Sequence, residues 1–252
     1  MPITIPDLHG RADLLDAVLA HYPAETSFVF LGDAIDRGPN SREVVRTLLR
    51  LSEEGRLTIV RGNHEHMLLE GWRRTRAWQE SGLVAERVAG RNNFQNWLRN
   101  GGKRTMREYG DFDETNLPQE LQQYLERTVV SFQHRSILCS HAAPPVKHPR
   151  YRTPEDVALW SRPDDGPFPL PEGVRATVHG HTPLASPTWV GPHLYTDLGA
   201  VHSGALCTVD LDDLSVKVFQ GKGDVPLDQL PELTANRGGL IGHPEFVVIP
   251  VA

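Results

Sequence analysis

The sequence predicts an α/β fold, and two features of residues 1–60 carry this prediction. Short apolar strands, residues 3–5, 27–31 and 57–60, alternate with two amphipathic helical patterns. This order indicates parallel strands, because each helix carries the chain back to the starting edge of the sheet. Polar residues follow each strand directly, and in an open α/β sheet such strand ends line one crevice. We therefore expect these polar residues to lie close together.

Two helices are predicted between these strands. The first occupies residues 11–22 and ends before Pro23, which lacks the N–H that a helix interior needs. The second begins where Asn40 can cap it, with Glu43 three residues later, and ends at Gly55. Their apolar residues have helical spacing and are Leu14, Leu15, Val18 and Leu19 in the first helix and Val44, Val45, Leu48 and Leu49 in the second.

A helical insert is predicted at about residues 66–127 of a single domain that spans residues 1–252. The segment lacks convincing strand patterns and is interrupted by glycines and by Pro118. Its tryptophans and Phe94 alternate with many arginines, which permits two interpretations. The rings and guanidinium groups could stack on and pair with a nucleotide or a phosphopeptide. Alternatively, the rings pack inward and the arginines face solvent, as in an ordinary amphipathic cap.

Strand patterns return after the insert. Residues 129–133 and 137–140 predict a β-hairpin that places His141 at its far end. Thr153, followed by proline, predicts the start of a short helix, from which Arg162 leaves into a loop. Further strands are predicted at residues 175–178, 194–197, 205–210 and 216–220. The Gly- and Pro-rich tail beyond them indicates no function.

Composition limits the possible functions. At 252 residues the chain can bury a full core, so a bound metal would serve chemistry rather than folding. The net charge of −6 argues against a general polyanion binder, and no stable nucleic-acid partner is expected. We find no secretory leader pattern and no apolar run long enough to cross a membrane, which predicts a cytoplasmic protein without a membrane partner. Cys139 and Cys207 lie in apolar segments and are interpreted as buried thiols.

The strand ends carry side chains that are typical metal ligands. They are Asp7, His9, Asp33, Asn63, His141 and His181. Oxygen donors and imidazoles without a thiolate suit manganese, iron, zinc or magnesium in a catalytic site. Asp33 belongs to the middle cluster and has two carboxylate oxygens, so we expect it to bridge two cations. Two cations about 3.5–4 Å apart would activate a shared water and clamp both oxygens of an in-line displacement, as phosphate ester hydrolysis requires.

Five further residues fit the same reaction. His64 is predicted to protonate the leaving alkoxide, with Asp36 orienting its ring. Arg37 and Arg61 present planar guanidinium groups suited to phosphate oxygens, and Arg162 is a third residue for this role. Taken singly, each motif is more often structural. Their occurrence in order, at the ends of three consecutive strands, favours the catalytic interpretation.

These motifs resemble those of the phosphoprotein phosphatase family of dinuclear metallophosphoesterases. The family signature comprises Gly-Asp-x-His-Gly, Gly-Asp-x-x-Asp-Arg-Gly, Gly-Asn-His-Glu, a later His and a Gly-His pair. The second and third motifs are intact at residues 32–38 and 62–65, and the match extends over roughly residues 3–204. The branch that contains phage and bacterial serine/threonine phosphatases and symmetrical diadenosine tetraphosphate hydrolases is similar at residues 96–102, 160–162, 180–183 and 196–201.

The resemblance implies a calcineurin-like fold, which is a central β-sandwich of mixed sheets flanked by helices. By the same resemblance, one metal would be held by Asp7, His9 and Asp33, and the other by Asp33, Asn63, His141 and His181. His64 with Asp36 would be the proton-donor pair. The two divalent cations would be manganese, or another transition metal such as iron or zinc. Pro6 and Leu198 depart from the family pattern, and neither change removes a ligand.

The sequence thus predicts a dinuclear metal-dependent phosphatase. The expected reaction is hydrolysis of phosphomonoesters, above all phosphoserine and phosphothreonine in proteins, by attack of a metal-bridging hydroxide. Symmetrical hydrolysis of dinucleoside tetraphosphates is the alternative, and nucleotide-stacking residues in the insert would favour it. A non-catalytic phosphate-binding module is a third possibility, but such a module needs neither His64 nor Asp36. The oligomeric state is left open.

Overall fold

The computed structural model describes residues 1–232 and 241–251. Its first part follows the predicted alternation of strands and helices. The elements are β1 (Pro2–Ile5), α1 (Ala12–His21), β2 (Ser27–Phe30), α2 (Ser41–Glu53) and β3 (Leu57–Ile59). These three strands are parallel, with β1 beside β2 and β2 beside β3, which confirms the prediction.

The predicted insert corresponds to a group of helices. They are α3 (Asn63–Ser81), α4 (Val84–Trp97), α5 (Lys103–Glu108) and α6 (Gln119–Glu126), with a π-helical turn (Leu98–Gly102) between α4 and α5. Trp72, Phe94 and Trp97 are buried, and they pack in the apolar core that α1 and α2 share with the insert. Trp78 is half-buried, and the guanidinium of Arg87 lies 4.8 Å from the centre of its ring. The structure therefore favours the amphipathic cap over a stacking surface.

The second half of the chain is rich in strands. They are β4 (Ser131–His134), β5 (Ile137–Ser140), β6 (Ala176–His179), β7 (Thr188–Val190), β8 (His193–Tyr195), β9 (Ala205–Asp210), β10 (Val216–Gln220), β11 (Ile241–Gly242) and β12 (Phe246–Pro250). Two α-helices lie between them in the described residues, α7 (Pro154–Trp160) and α8 (Ala200–Ser203). The antiparallel β4–β5 hairpin is confirmed, and so is the β9–β10 hairpin. Thr153 caps α7 as predicted, because its hydroxyl accepts the N–H of Asp156 at 3.0 Å.

The strands form two mixed six-stranded sheets. Within the described residues, the first has the order β12-β10-β9-β1-β2-β3 and the second the order β11-β7-β8-β6-β5-β4. A continuous apolar core contains Val29 and Cys207 from the first sheet together with Cys139 and Val178 from the second. The two sheets therefore pack face to face, and the expected β-sandwich of mixed sheets is confirmed. Both cysteines are free and buried, as predicted.

The tail contains two strands that the sequence did not predict. β11 pairs with β7 at one edge of the second sheet, and β12 pairs with β10 at one edge of the first. Residues 243–245 connect them. The tail thus contacts an edge of each sheet, although its composition is typical of a loop.

The predicted cap of α2 is wrong in one detail. Asn40 occupies the N-cap position, but its side chain makes no capping hydrogen bond. The carboxylate of Glu108 in α5 accepts the N–H of Arg42 at 2.8 Å instead. A carboxylate satisfies a free helix N–H more strongly than a neutral amide, and tertiary packing brings this one into range. Among the helices in the described ranges, none is both long and apolar enough to span a bilayer.

Candidate metal centre

The expected ligands lie beyond the carboxyl ends of strands in both sheets. The first sheet supplies Asp7 and His9 after β1, Asp33 after β2 and Asn63 after β3, and the second supplies His141 after β5 and His181 after β6. The strands that carry them are parallel within each sheet, so their ends lie at the same side of the sandwich. One crevice therefore receives side chains from both sheets.

Asp33 is shared by two groups of potential ligands. One group comprises His9, Asp33 and His64, and the other comprises Asp33, His141 and His181. Within each group the ligand atoms lie within 4.8 Å of one another. Asp33 Oδ2 is 3.6 Å from His9 Nε2 and also 3.6 Å from His141 Nε2. Asp33 is thus the residue that the two candidate groups have in common, and its bridging role stays a prediction.

Asn63 and Asp7, the two remaining expected ligands, lie beside these groups. Asn63 Oδ1 lies 3.0 Å from His141 Nε2 and 3.1 Å from His181 Nδ1. These two nitrogens are 3.1 Å apart, so three donor atoms converge on one point. The backbone N–H of His181 donates to both oxygens of Asp7, at 3.1 and 3.0 Å. Gly180 permits this approach, since a Cβ at that position would overlap Asp7 Oδ2.

Two of the histidines are oriented by backbone carbonyl groups. His9 Nδ1 donates to the carbonyl of Ile35 at 2.8 Å, and His141 Nδ1 donates to that of Leu31 at 2.8 Å. A carbonyl can only accept, so the Nε2 atom of each ring keeps its lone pair. Burial also lowers the pKa of both rings, which keeps them neutral. Neutral imidazoles held in this way are the usual form of metal-binding histidines.

Buried negative charge is concentrated in the crevice. Burial, and then the charges of Asp197 and Asp33, raise the pKa of Asp7 well above its usual range. Burial also raises the pKa of Asp197 to about 7. Burial opposes the charge of Asp33, but the surrounding histidines, His141 first, outweigh it and lower the pKa of Asp33. Positive charge relieves the mutual repulsion of these buried carboxylates, so the residues fit divalent cations.

His64 and Asp36 form a buried pair beside this ligand set. His64 Nδ1 lies 2.7 Å from Asp36 Oδ2. His64 Nε2 is buried and has no hydrogen-bond partner among the described residues, and it lies 3.9 Å from Asp33 Oδ2. Burial opposes a charge on His64, but Asp33 and Asp36 outweigh it and raise the pKa of the ring. The raised pKa favours the protonated ring, and Nε2 is its nitrogen without a hydrogen-bond partner among the described residues.

The three arginines have different surroundings. Arg37 is exposed and its guanidinium lies 2.8 Å from His9 Nε2. Arg162 is also exposed, and its guanidinium lies 3.5 Å from the hydroxyl of Thr182, the residue after His181. Arg61 is buried instead. Arg37 and Arg162 are thus the two of these arginines whose side chains are exposed.

The donors of Arg61 are occupied by protein groups. Its Nε donates to the hydroxyl of Thr128 at 2.9 Å and its Nη2 to the carbonyl of the same residue at 3.3 Å. Its Nη1 donates to Glu155 Oε1 at 2.8 Å. In this arrangement Arg61 links α7 to the end of the insert. Its predicted contact with phosphate would require at least one of these hydrogen bonds to be exchanged.

Glu65 has a role that sequence reasoning did not assign. Its Oε2 accepts the N–H groups of Asp33 and Gly62, at 2.8 and 3.0 Å, and its Oε1 accepts that of Ala34 at 2.9 Å. The hydroxyl of Tyr124 in α6 donates to Oε1 at 3.2 Å. Glu65 therefore fixes the loop that carries Asp33. Glu65 could have been found from its place in the Gly-Asn-His-Glu motif. Tyr124 lies 59 residues away, and no sequence pattern connects it to this loop.

Asp197 and His179 also lie near the crevice. Asp197 accepts the N–H of Gly199 at 2.7 Å and adds a third carboxylate to those of Asp7 and Asp33. His179 is buried and hydrogen-bonds to Thr177 at 2.6 Å. Burial and then His193 lower its pKa to about 3. His179 therefore has a packing role. The sequence also leaves the role of His202 undecided, and in the structure this residue of α8 is exposed.

Backbone strain is concentrated in the same place. Eight non-glycine residues in the described ranges have positive φ, and five of them belong to the site. These five are His9 (45°), Asp33 (61°), Asp36 (77°), Arg37 (65°) and His181 (68°). Each such conformation costs about 1–3 kcal/mol and persists where its surroundings hold it, which is typical of functional sites.

The chain is similar to several known proteins. Residues 3–185 match the family described as calcineurin-like phosphoesterase. The chain is 32% identical over 215 residues to serine/threonine-protein phosphatase 1 of Salmonella typhimurium, covering 80% of this chain and 88% of that protein. It is 40% identical over 68 residues to a symmetrical bis(5'-nucleosyl)-tetraphosphatase of Ralstonia nicotianae, covering 27% of this chain and 24% of that protein. A cold-active protein tyrosine phosphatase structure shares the fold, with a TM-score of 0.58 at 15% identity over 85% of this chain and 75% of that chain.

Proposed function

The chain belongs to the calcineurin-like phosphoesterases, and we propose that it hydrolyses phosphomonoesters, with phosphoserine and phosphothreonine of proteins as its substrates. The observation that carries this proposal is the position of Asp33 between two ligand groups, with the buried His64–Asp36 pair beside it. Such a site can activate water and protonate a leaving alkoxide. The substrate class rests on the Salmonella phosphatase, whose similarity extends over most of both chains.

The proposed metal centre uses the six ligands at the strand ends. Asp7, His9 and Asp33 would hold one cation, and Asp33, Asn63, His141 and His181 the other. When bound, the two cations supply a nucleophilic hydroxide at neutral pH and neutralise negative charge on the phosphoryl group. Manganese as the native metal and a cytoplasmic location are part of this proposal.

The remaining residues bind the ester and move a proton. Arg37 and Arg162 are exposed at the crevice and present guanidinium groups to the non-bridging phosphate oxygens. Arg61 can join them if it releases Glu155, whose side chain is partly exposed. His64 donates the proton from Nε2 to the leaving oxygen while Asp36 keeps the ring in place through Nδ1.

Symmetrical dinucleoside tetraphosphate hydrolysis is the second function that an observation favours. The 68-residue match to the Ralstonia enzyme supports it. The tryptophans that could have stacked on a nucleotide give it less support, because Trp72 and Trp97 are buried and Arg87 covers Trp78. We therefore rank it below phosphoprotein hydrolysis.

One panel of assays distinguishes these functions. The purified protein, supplied with manganese, is tested on p-nitrophenyl phosphate, a phosphothreonine peptide and diadenosine tetraphosphate. We expect kcat/KM to be highest for the peptide, and the Asp33→Asn variant serves as the control for contaminating activity. A higher kcat/KM for diadenosine tetraphosphate, with ADP as the product, would support the second function. Failure to hydrolyse all three substrates at full metal loading would refute both.

A further inference from the structure

The insert contacts the motif residues through three hydroxyl groups. Thr105 in α5 hydrogen-bonds to Asp36, Tyr124 in α6 to Glu65, and Thr128, at the end of the insert, to Arg61. These contacts join parts of the chain that are 59 to 69 residues apart. The polar residues that follow β2 and those that follow β3 are therefore held in part from outside the sheets. The Thr105 contact is the one made to Asp36, whose other carboxylate oxygen lies beside His64.

The hydroxyl of Thr105 makes two hydrogen bonds with one residue. It donates to Asp36 Oδ1 at 2.7 Å and accepts the backbone N–H of Asp36 at 2.9 Å. The hydroxyl of Ser41 also accepts the backbone N–H of Asp36, at 3.1 Å. Thr105, Ser41 and Asp36 are all fully buried. Asp36 Oδ1 thus receives a specific donor in a place that excludes solvent.

The other oxygen of Asp36 orients His64. Oδ2 lies 2.7 Å from His64 Nδ1, so each carboxylate oxygen has one partner and the plane of the carboxylate is fixed. Fixing that plane fixes the ring, whose Nε2 then has one direction in which to donate. Asp36 also has a positive φ of 77°, a strained conformation that needs support from its surroundings.

We infer that Thr105 is a positioning residue for the proposed proton transfer, which it controls by holding Asp36 and therefore His64 in one orientation. The inference rests on the proposed role of His64 as proton donor. The insert then has a role in catalysis, since a residue of α5 sets the orientation of His64 in the crevice. The main chain of the insert also contacts the next residue, because the carbonyl of Gly101 accepts the N–H of Arg37 at 3.5 Å.

The test compares Thr105→Val with Thr105→Ser on two substrates. Valine has the same shape without a hydroxyl, whereas serine retains it. For Thr105→Val we expect kcat on a phosphothreonine peptide to fall by about 10- to 50-fold, a part of the effect of general acid catalysis. The loss on p-nitrophenyl phosphate should stay below about threefold, because its leaving group needs little protonation. KM and metal content should match the parent, and Thr105→Ser should recover most of the activity.

Thr75→Val is the matched control. Thr75 is a buried threonine of the same insert, in α3, and its hydroxyl lies toward Gly90 of α4. We expect this variant to keep the parent kinetics on both substrates. If Thr105→Val does not fold, as judged by thermal unfolding, Thr105→Ala provides the second variant, because it leaves space instead of a methyl group beside the carboxylate.

Two further measurements separate positioning from a general structural effect. In the Asp36→Asn background, Thr105→Val should cause almost no additional loss, since it acts through Asp36. In metal-free protein, the low-field proton NMR signal of His64 Nδ1–H should shift or broaden in Thr105→Val and remain in Thr105→Ser. An additive loss in the double variant, or an unchanged NMR signal, would overturn the inference.

The same experiment distinguishes failure of the proposed function from failure of the inference. If His64→Asn loses equal activity on both substrates, His64 is not the acid and the proposed mechanism fails. If His64→Asn shows the unequal loss but Thr105→Val matches the parent, the mechanism holds and Thr105 has no positioning role.

Discussion

Replacing His64 by asparagine should remove the proton donor and leave the metal ligands intact. His64 Nδ1 is 2.7 Å from Asp36 Oδ2, and an asparagine amide can still donate to that carboxylate. The amide cannot release a proton near neutral pH, so the leaving alkoxide would depart unprotonated. We expect kcat on a phosphothreonine peptide to fall by about 10² to 10⁴, which corresponds to about 3–5 kcal/mol in the activation barrier.

The assay measures kcat on the peptide and on p-nitrophenyl phosphate, with metal content determined by elemental analysis of the same samples. The loss should be much smaller on p-nitrophenyl phosphate, and metal content should stay near that of the parent. His202→Asn is the control, because His202 is an exposed histidine. Equal losses on the two substrates would refute the acid role. A loss of metal would instead make His64 a ligand, which its place in the group with His9 and Asp33 permits.

Three other predictions follow from the site. Chelation should abolish hydrolysis and manganese should restore it, and full activity in protein shown to be metal-free would contradict the proposed centre. Arg162→Ala should lower kcat/KM and weaken inhibition by free phosphate together, with little recovery in Arg162→Lys; unchanged values would show that Arg162 does not bind phosphate. Glu65→Gln should destabilise the metal-free protein by about 1–3 kcal/mol, because an amide cannot accept N–H groups at both of its ends. Urea unfolding measures this effect, and an unchanged midpoint would show that Glu65 does not support the loop.

The strand-end motifs could be found from sequence because each one lies within a few residues of the strand that it follows. Asp33 comes three residues after the end of β2, and Asn63 four residues after the end of β3. Their convergence then follows from the parallel order of the strands, which the helical spacing between them predicts. Adjacent strand patterns likewise predicted the β4–β5 hairpin that precedes His141.

Contacts between distant segments could not be predicted in this way. Thr105 and Asp36 are 69 residues apart, and no local pattern distinguishes Thr105 from other threonines of the insert. The arginine- and tryptophan-rich stretch was ambiguous, because the same spacing suits a packed face and a binding face. Arg61 directly precedes the Gly-Asn-His-Glu motif, yet its donors meet Thr128 and Glu155, which lie far along the chain. The short tail strands depend on the edges of β7 and β10 rather than on their own composition.

The proposed metal ligands come from both sheets, so metal binding would depend on the spacing between the sheets. His141 and His181 come from the second sheet, whereas Asp33 and the other ligands come from the first. Metal–ligand distances tolerate deviations of only about 0.2 Å. The affinity for two cations would therefore depend on the distance between the two sheets. Cys139 and Cys207 lie in the layer that sets this spacing, and neither is a ligand. A substitution that changes the volume of either cysteine side chain would therefore change the metal affinity of the site, although the substituted side chain contacts no ligand atom.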